Sequence, residues 1–180
     1  LAFPPQGFSL KWFAAILERP ALLAAAANSA AIAAVATGVS LVVGTLSAFA
    51  LRRYAFPGRG ALMALFMAPL VFPAIVLAAA IAMVLAPMGL VRNFWGLVLA
   101  HIVVVLPYVV RTVSATLAEV DRAWEEAALT LGASPWRGFT SVTLPLLRPG
   151  LVAGATFSLI ISFDEFTISL FLVGSGIWVA

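Results

Sequence analysis

The sequence predicts an all-α fold: a polytopic transmembrane helical bundle with four spans, forming one domain over residues 1–180. Three observations carry this. Hydrophobic residues make up 64% of the chain and charged ones 9%, against roughly 25% charged in a soluble domain. Mean hydropathy is +1.15. The apolar runs each reach about 20 residues, enough to cross a hydrocarbon core about 30 Å thick. A lipid membrane is therefore the first partner. The net charge is +3, and without a basic stripe interleaved with aromatics it points to no nucleic acid. The chain has no cysteine, which excludes disulfides, thiolate chemistry and Cys-ligated metal.

"LAFPPQGFSLKWFAAILERP" reads as a loop followed by a short amphipathic helix, lying at the membrane interface or on an ordinary surface. The first span covers about 22–51. Ala36, Ser40, Gly44 and Ala48 fall four apart on one face, and small residues let helices approach closely in lipid. Simple Ala-rich filler is the other reading. "RRYAFPGRG" then turns at Pro57-Gly58. The second span covers about 61–85, with Pro69 and Pro73 inside it as kinks or local unwinding. The third covers about 94–113 around Pro107, and the fourth about 150–172. The three prolines are hinges or fixed kinks. Arg52, Arg53, Arg59, Arg111, Arg122, Arg137 and Arg148 gather on one side, Lys11, Arg19 and Arg92 on the other. The positive-inside rule places the first group in the cytoplasm. The start at Leu1 and the apolar end "GSGIWVA" suggest a piece of a longer protein.

Between the third and fourth spans lies a polar, turn-rich loop of about 115–149. Asp121 suits a helix N-cap, with Glu125 and Glu126 near the helix's positive end. Trp124, Ala128 and Leu131 fall at i, i+4, i+7 as an apolar face, with Ala127 beside it. Gly132 follows where a left-handed C-terminal residue is expected. Ser134 and Pro135 restart a helix, which runs to about Thr143 and stops at "LP". Helices this short rarely persist alone in water. Their apolar face needs a partner, on this chain or on another.

The spacing of this loop carries a resemblance. "EAALTLG" followed by "VTLP" matches the pattern EAA-x3-G-x9-I-x-LP on Glu126, Ala127, Ala128, Gly132, Val142, Leu144 and Pro145. Val142 stands where Ile is usual. The pattern resembles the cytoplasmic loop signature of inner-membrane permease subunits of ABC importers. "LAHIVVVLPYVVRTVSATL", "LGASPWRGFTSVTLPLLRPG" and "ISFDEFTISLFL" look most like the second permease of spermidine/putrescine importers. The resemblance implies a type I importer permease fold in the bacterial inner membrane. It implies that this chain is a fragment of a six-span subunit lacking its first and last helices. It also implies that Trp124, Glu126, Ala127, Ala128, Leu131, Gly132, Leu144 and Pro145 form coupling helices seated in an ABC ATPase subunit. The partners implied are an ATPase dimer carrying ATP and Mg, a second permease and an external substrate-binding protein. This chain itself carries no cofactor, since it lacks a phosphate-binding Gly loop ending in Gly-Lys-Ser/Thr.

Asp164 and Glu165 fall inside the fourth span. Ionisable groups at such depth face a bundle interior or a wet cavity. They line a substrate path or form a structural pair with neighbouring helices. Adjacent helical positions point about 100° apart, which favours Asp164 for the path. Ser162, Phe163, Thr167 and Ser169 add hydroxyls and an aromatic face suited to a cation. Two carboxylates suit a polyamine, as the resemblance suggests; related importers handle ferric iron, thiamine or aminophosphonate. His101 in the third span is a path residue or a hydrogen bond across helices. A stand-alone secondary transporter has only Asp164, Glu165 and His101 for ion coupling and leaves the polar loop unexplained. With one His and no Cys, neither a catalytic nor a metal-ligating set emerges, so the chain reads as a transport subunit and not an enzyme.

Overall fold

A computed structural model describes residues 11–173, and every regular element among them is helical. Helix α1 spans Lys11–Leu17 and α2 spans Pro20–Arg53. Pro20 opens α2 at the first turn, where its missing N–H costs nothing. Arg52 and Arg53 close it against the negative end of the helix dipole. At 34 residues, α2 is about 51 Å long. Helix α5, Phe94–Glu119, runs through Pro107 without ending there. These two helices are each long and apolar enough to cross a membrane.

The four-apart face of α2 is buried as expected: Ala36, Ser40, Gly44 and Ala48 all lie inside. They face α5. A Cβ on Gly44 would fall 2.7 Å from Val109 Cγ1, so the small face is what permits this approach. Helix α9, Arg148–Asp164, packs on both α5 and α2. Its Gly150 and Gly154 lie against Thr112 and Thr116. Thus α2, α5 and α9 pack on one another as a three-helix core.

The second predicted span is not one continuous helix. It divides into α3 (Arg59–Met67), a 3₁₀ turn (Ala68–Leu70) and α4 (Ala74–Leu85), with a 112° bend. Pro69 sits in the turn and Pro73 is extended at ψ 135° before α4. Two prolines four residues apart remove two donors and disfavour helical backbone just before each. Helix α4 alone, with 12 residues, reaches only about 18 Å. The fourth predicted span is also broken. Helix α9 ends at Asp164, Glu165 is extended (φ −78°, ψ 92°), and α10 runs Phe166–Leu172.

The polar loop folds as predicted at its start and differently at its end. Helix α6 covers Arg122–Thr130 and α7 covers Pro135–Gly138. The chain does not stop at Pro145. A π-helical turn, Phe139–Thr143, leads into a last turn α8, Leu144–Leu146, which meets α9 across a 68° bend. The π turn shifts the hydrogen-bond register by one residue just before Pro145, whose missing N–H then falls in the first turn of α8. Two apolar clusters fill the bundle. One joins Ile32, Ala78, Leu97 and Ile168; the other, beside the polar loop, joins Ala48, Val109, Val113 and Leu147.

Candidate functional site: a polar knob and a broken helix

The first candidate site is the knob formed by α6, α7 and their turn. Asp121 accepts from the Ala123 N–H at 2.9 Å, and Ser134 from the Arg137 N–H at 3.3 Å. The turn between them is a Schellman closure. The Ala133 N–H reaches Ala128 O at 3.0 Å, and the Gly132 N–H reaches Leu129 O at 2.9 Å. This geometry holds Gly132 at φ +86°, where any side chain is strained. The knob is locally self-supporting, yet it leaves Trp124 64%, Leu131 88% and Trp136 67% exposed.

Glu126 and Ala127 are exposed, Ala128 half-buried. Glu126 makes no ion pair among the described residues. Leu144 and Pro145 are half-buried in α8, between the knob and α9. The sequence reading missed Trp136, whose ring stands 5.6 Å from that of Phe139. It placed Glu125 at the positive end of α6 but not its partners. Glu125 Oε1 accepts from Arg53 Nη2 at 2.7 Å, Arg53 Nε at 3.1 Å and Thr143 Oγ1 at 2.9 Å. The end of α2 and the knob therefore share one face of the bundle, as their common arginine excess suggested.

The second candidate site surrounds the break at Glu165. Asp164 and Glu165 do not act as a pair. Glu165 turns back to cap α10, its Oε1 accepting from the Ile168 N–H at 3.0 Å. Asp164 is exposed and ends a groove whose walls are Ala30 and Ala33 of α2 and Leu159, Ile160 and Phe163 of α9. Phe163 is 48% exposed and Thr167 half-buried. The groove is thus an apolar trough with one carboxylate.

His101 and Ser162 lie apart from that trough, each 3% exposed. His101 Nδ1 is 2.7 Å from Ser162 Oγ, and Nε2 is 3.2 Å from Ser169 Oγ. Ser169 donates its own proton to Glu165 O at 2.8 Å. A hydroxyl has one proton to give, so Ser169 accepts from Nε2–H and Nδ1 accepts from Ser162. One imidazole on α5 thereby staples both sides of the helix break. His101→Ala removes two bonds worth about 0.6 kcal/mol each in a membrane protein and leaves a cavity. The expected cost is about 2 kcal/mol, read as a lower melting temperature in detergent. An unchanged melting curve would show that the staple carries no load.

Comparison with known proteins adds the following. The family model described as "Binding-protein-dependent transport system inner membrane component" matches residues 40–179. The spermidine/putrescine transport system permease protein PotC of Escherichia coli (strain K12) is 34% identical over 169 residues, covering 94% of this chain and 64% of PotC. The putrescine transport system permease protein PotI of the same strain is 30% identical over 177 residues, covering 94% of this chain and 63% of PotI. The sulfate transport system permease protein CysT of that strain is 36% identical over 175 residues, covering 91% of this chain and 63% of CysT. The chain therefore spans somewhat under two thirds of the length of these relatives.

Proposed function

We propose that this chain, which belongs to the family of binding-protein-dependent transport system inner membrane components, is the permease subunit of an ATP-driven importer of polyamines. The knob is the observation that carries this. It is a capped helix pair that presents Trp124, Leu131 and Trp136 outward at the arginine-rich end of the bundle. Large aromatic and aliphatic side chains held out on a rigid support are the anchors of a docking surface. The matching occupant is an ABC ATPase dimer, which carries the ATP and Mg, and the knob then lies in the cytoplasm. A second permease completes the path, and an external binding protein delivers the cargo. Glu126 is the charge offered to a basic group on the ATPase.

The trough at Asp164 supports the cargo. A polyamine is a chain of methylenes between ammonium groups. Leu159 and Ile160 suit the methylenes; Asp164 and the ring of Phe163 suit an ammonium. The relatives named for spermidine and putrescine agree with this chemistry. Sulfate, the cargo in the name of CysT, is an anion that Asp164 would repel. The test reconstitutes the full-length protein with its partner subunits in proteoliposomes. Spermidine is expected to stimulate ATP hydrolysis and sulfate is not. Asp164→Asn is expected to raise the half-saturating spermidine concentration about tenfold, the loss of one charge-assisted contact. Stimulation by sulfate alone would overturn the cargo. An unchanged spermidine response in Asp164→Asn would remove Asp164 from the path.

A further inference from the structure

The trough has two walls, and they reach the knob by different routes. The α9 wall, with Phe163 and Asp164, is joined to the knob covalently through α8. The α2 wall, with Ala30 and Ala33, has no such link: α2 ends at Arg53, far upstream in sequence. We infer that the Arg53–Glu125 ion pair is a strut that carries movement of the knob into α2, so that one docked partner drives both walls. Glu125 and Arg53 are positioning residues in this scheme and touch no cargo.

The geometry is that of a clasp and not of a single contact. The Glu125 oxygen is held by Arg53 and by Thr143 of the π turn at once, so α2, α6 and the lead into α9 meet at one atom. Arg53 Nη2 also donates to Val120 O at 3.3 Å, just past the end of α5. In return, Arg122 of α6 donates to Arg52 O at 3.2 Å. That carbonyl lies in the last turn of α2, where carbonyls lack helical donors. Arg52 Nε donates to Ser114 O of α5 at 3.3 Å. Beside the clasp, the Phe49 ring of α2 meets Phe139 of the π turn edge to face, with centroids 4.8 Å apart. The side chains of Arg53 and Glu125 are only 10% and 19% exposed, so salt screens this pair less than a surface pair. A firm connection at one end of a helix about 51 Å long moves the far part that carries Ala30 and Ala33. Without it, the softer contacts of Phe49 with Phe139 and of α2 with α5 and α9 remain, and motion of the knob reaches the opposite wall less fully.

This inference rests on reading the knob as the ATPase dock, and the experiment separates the two. The full transporter in proteoliposomes is assayed for ATP hydrolysed and cargo moved, with spermidine as the probe. Glu125→Gln and Arg53→Met each should keep the assembled complex and its hydrolysis but lower the cargo moved per ATP about tenfold, within the range of ordinary coupling energies. The double variant should be no worse than either single one, because both remove the same link. Arg53→Lys, which keeps the charge, should recover part of the ratio. If transport and hydrolysis fall together at an unchanged ratio, the pair serves folding or docking and the strut is overturned. A ratio unchanged in every variant overturns it as well. If Arg53→Met does not assemble, the isosteric Glu125→Gln, which removes the charge and keeps the shape, decides: a lowered ratio supports the strut and a parental ratio overturns it. A parent that neither binds nor drives an ATPase sinks the docking reading itself, and the strut with it.

Discussion

Gly150→Leu should sharply destabilise the bundle. At this position α9 crosses α5 so closely that an added Cβ would meet Thr116 Oγ1, lie 2.9 Å from Thr116 Cβ and 3.1 Å from the backbone oxygen of Thr112. A side chain can rotate away, but a helix carbonyl moves only with its helix. Helix α5 is also held against α2, where Val109 already fills the space over Gly44. The helices must part, and the cost of overpacking is about 3 kcal/mol. That is about a hundredfold in the ratio of folded to unfolded chains. The expected result is a sharply lowered melting temperature in detergent. Gly60→Ala is the matched control. It lies in α3 with open space around it, and alanine favours a helix. Its melting curve should equal or slightly exceed the parent's. A Gly150→Leu protein that melts like the parent would mean that α5 and α9 do not cross this tightly.

What could be read from the sequence was local. Asp121, Gly132 and Ser134 were legible because a cap or a left-handed turn is decided by a few neighbouring residues. The small-residue face of α2 was legible because helical periodicity alone places Ala36 to Ala48 on one stripe. The prolines marked where helices fail but not by how much. Pro69 and Pro73 act together to give a 112° bend, while Pro107 leaves α5 unbroken and Pro145 is absorbed by a π turn. Each outcome depends on what packs around the proline. The capping role of Glu165 was not legible because a continuous helix was assumed. Once the chain breaks there, its carboxylate caps α10 and only Asp164 remains at the trough. The Arg53–Glu125 pair was out of reach, since no local rule relates residues 72 positions apart.

The second large effect falls on binding and spares the bundle. Gly132→Pro asks for φ near −65° where the backbone stands at +86°, and it deletes the N–H that closes the turn onto Leu129 O at 2.9 Å. The Schellman closure cannot form, so α6 and α7 change their relative angle and Trp124, Leu131 and Trp136 lose their relative placement. The damage stays local. Gly132 is exposed, nothing lies within 4 Å of its would-be side chain, and the apolar clusters of α2, α5 and α9 are elsewhere. The melting temperature of the membrane domain should therefore move little, while retention of the ATPase on co-purification should fall about a hundredfold, as for loss of a central anchor cluster. Gly132→Ala keeps the N–H and pays only the left-handed penalty of about 1 kcal/mol, so its binding should fall between the two. Glu126→Ala separates charge from shape: it should weaken binding about tenfold with an unchanged melting curve. These variants distinguish a dock from a structural cap. A cap that only seals the bundle would lose stability and binding together; a dock loses binding alone. Parental retention of the ATPase in Gly132→Pro would show that its contact surface lies away from the knob.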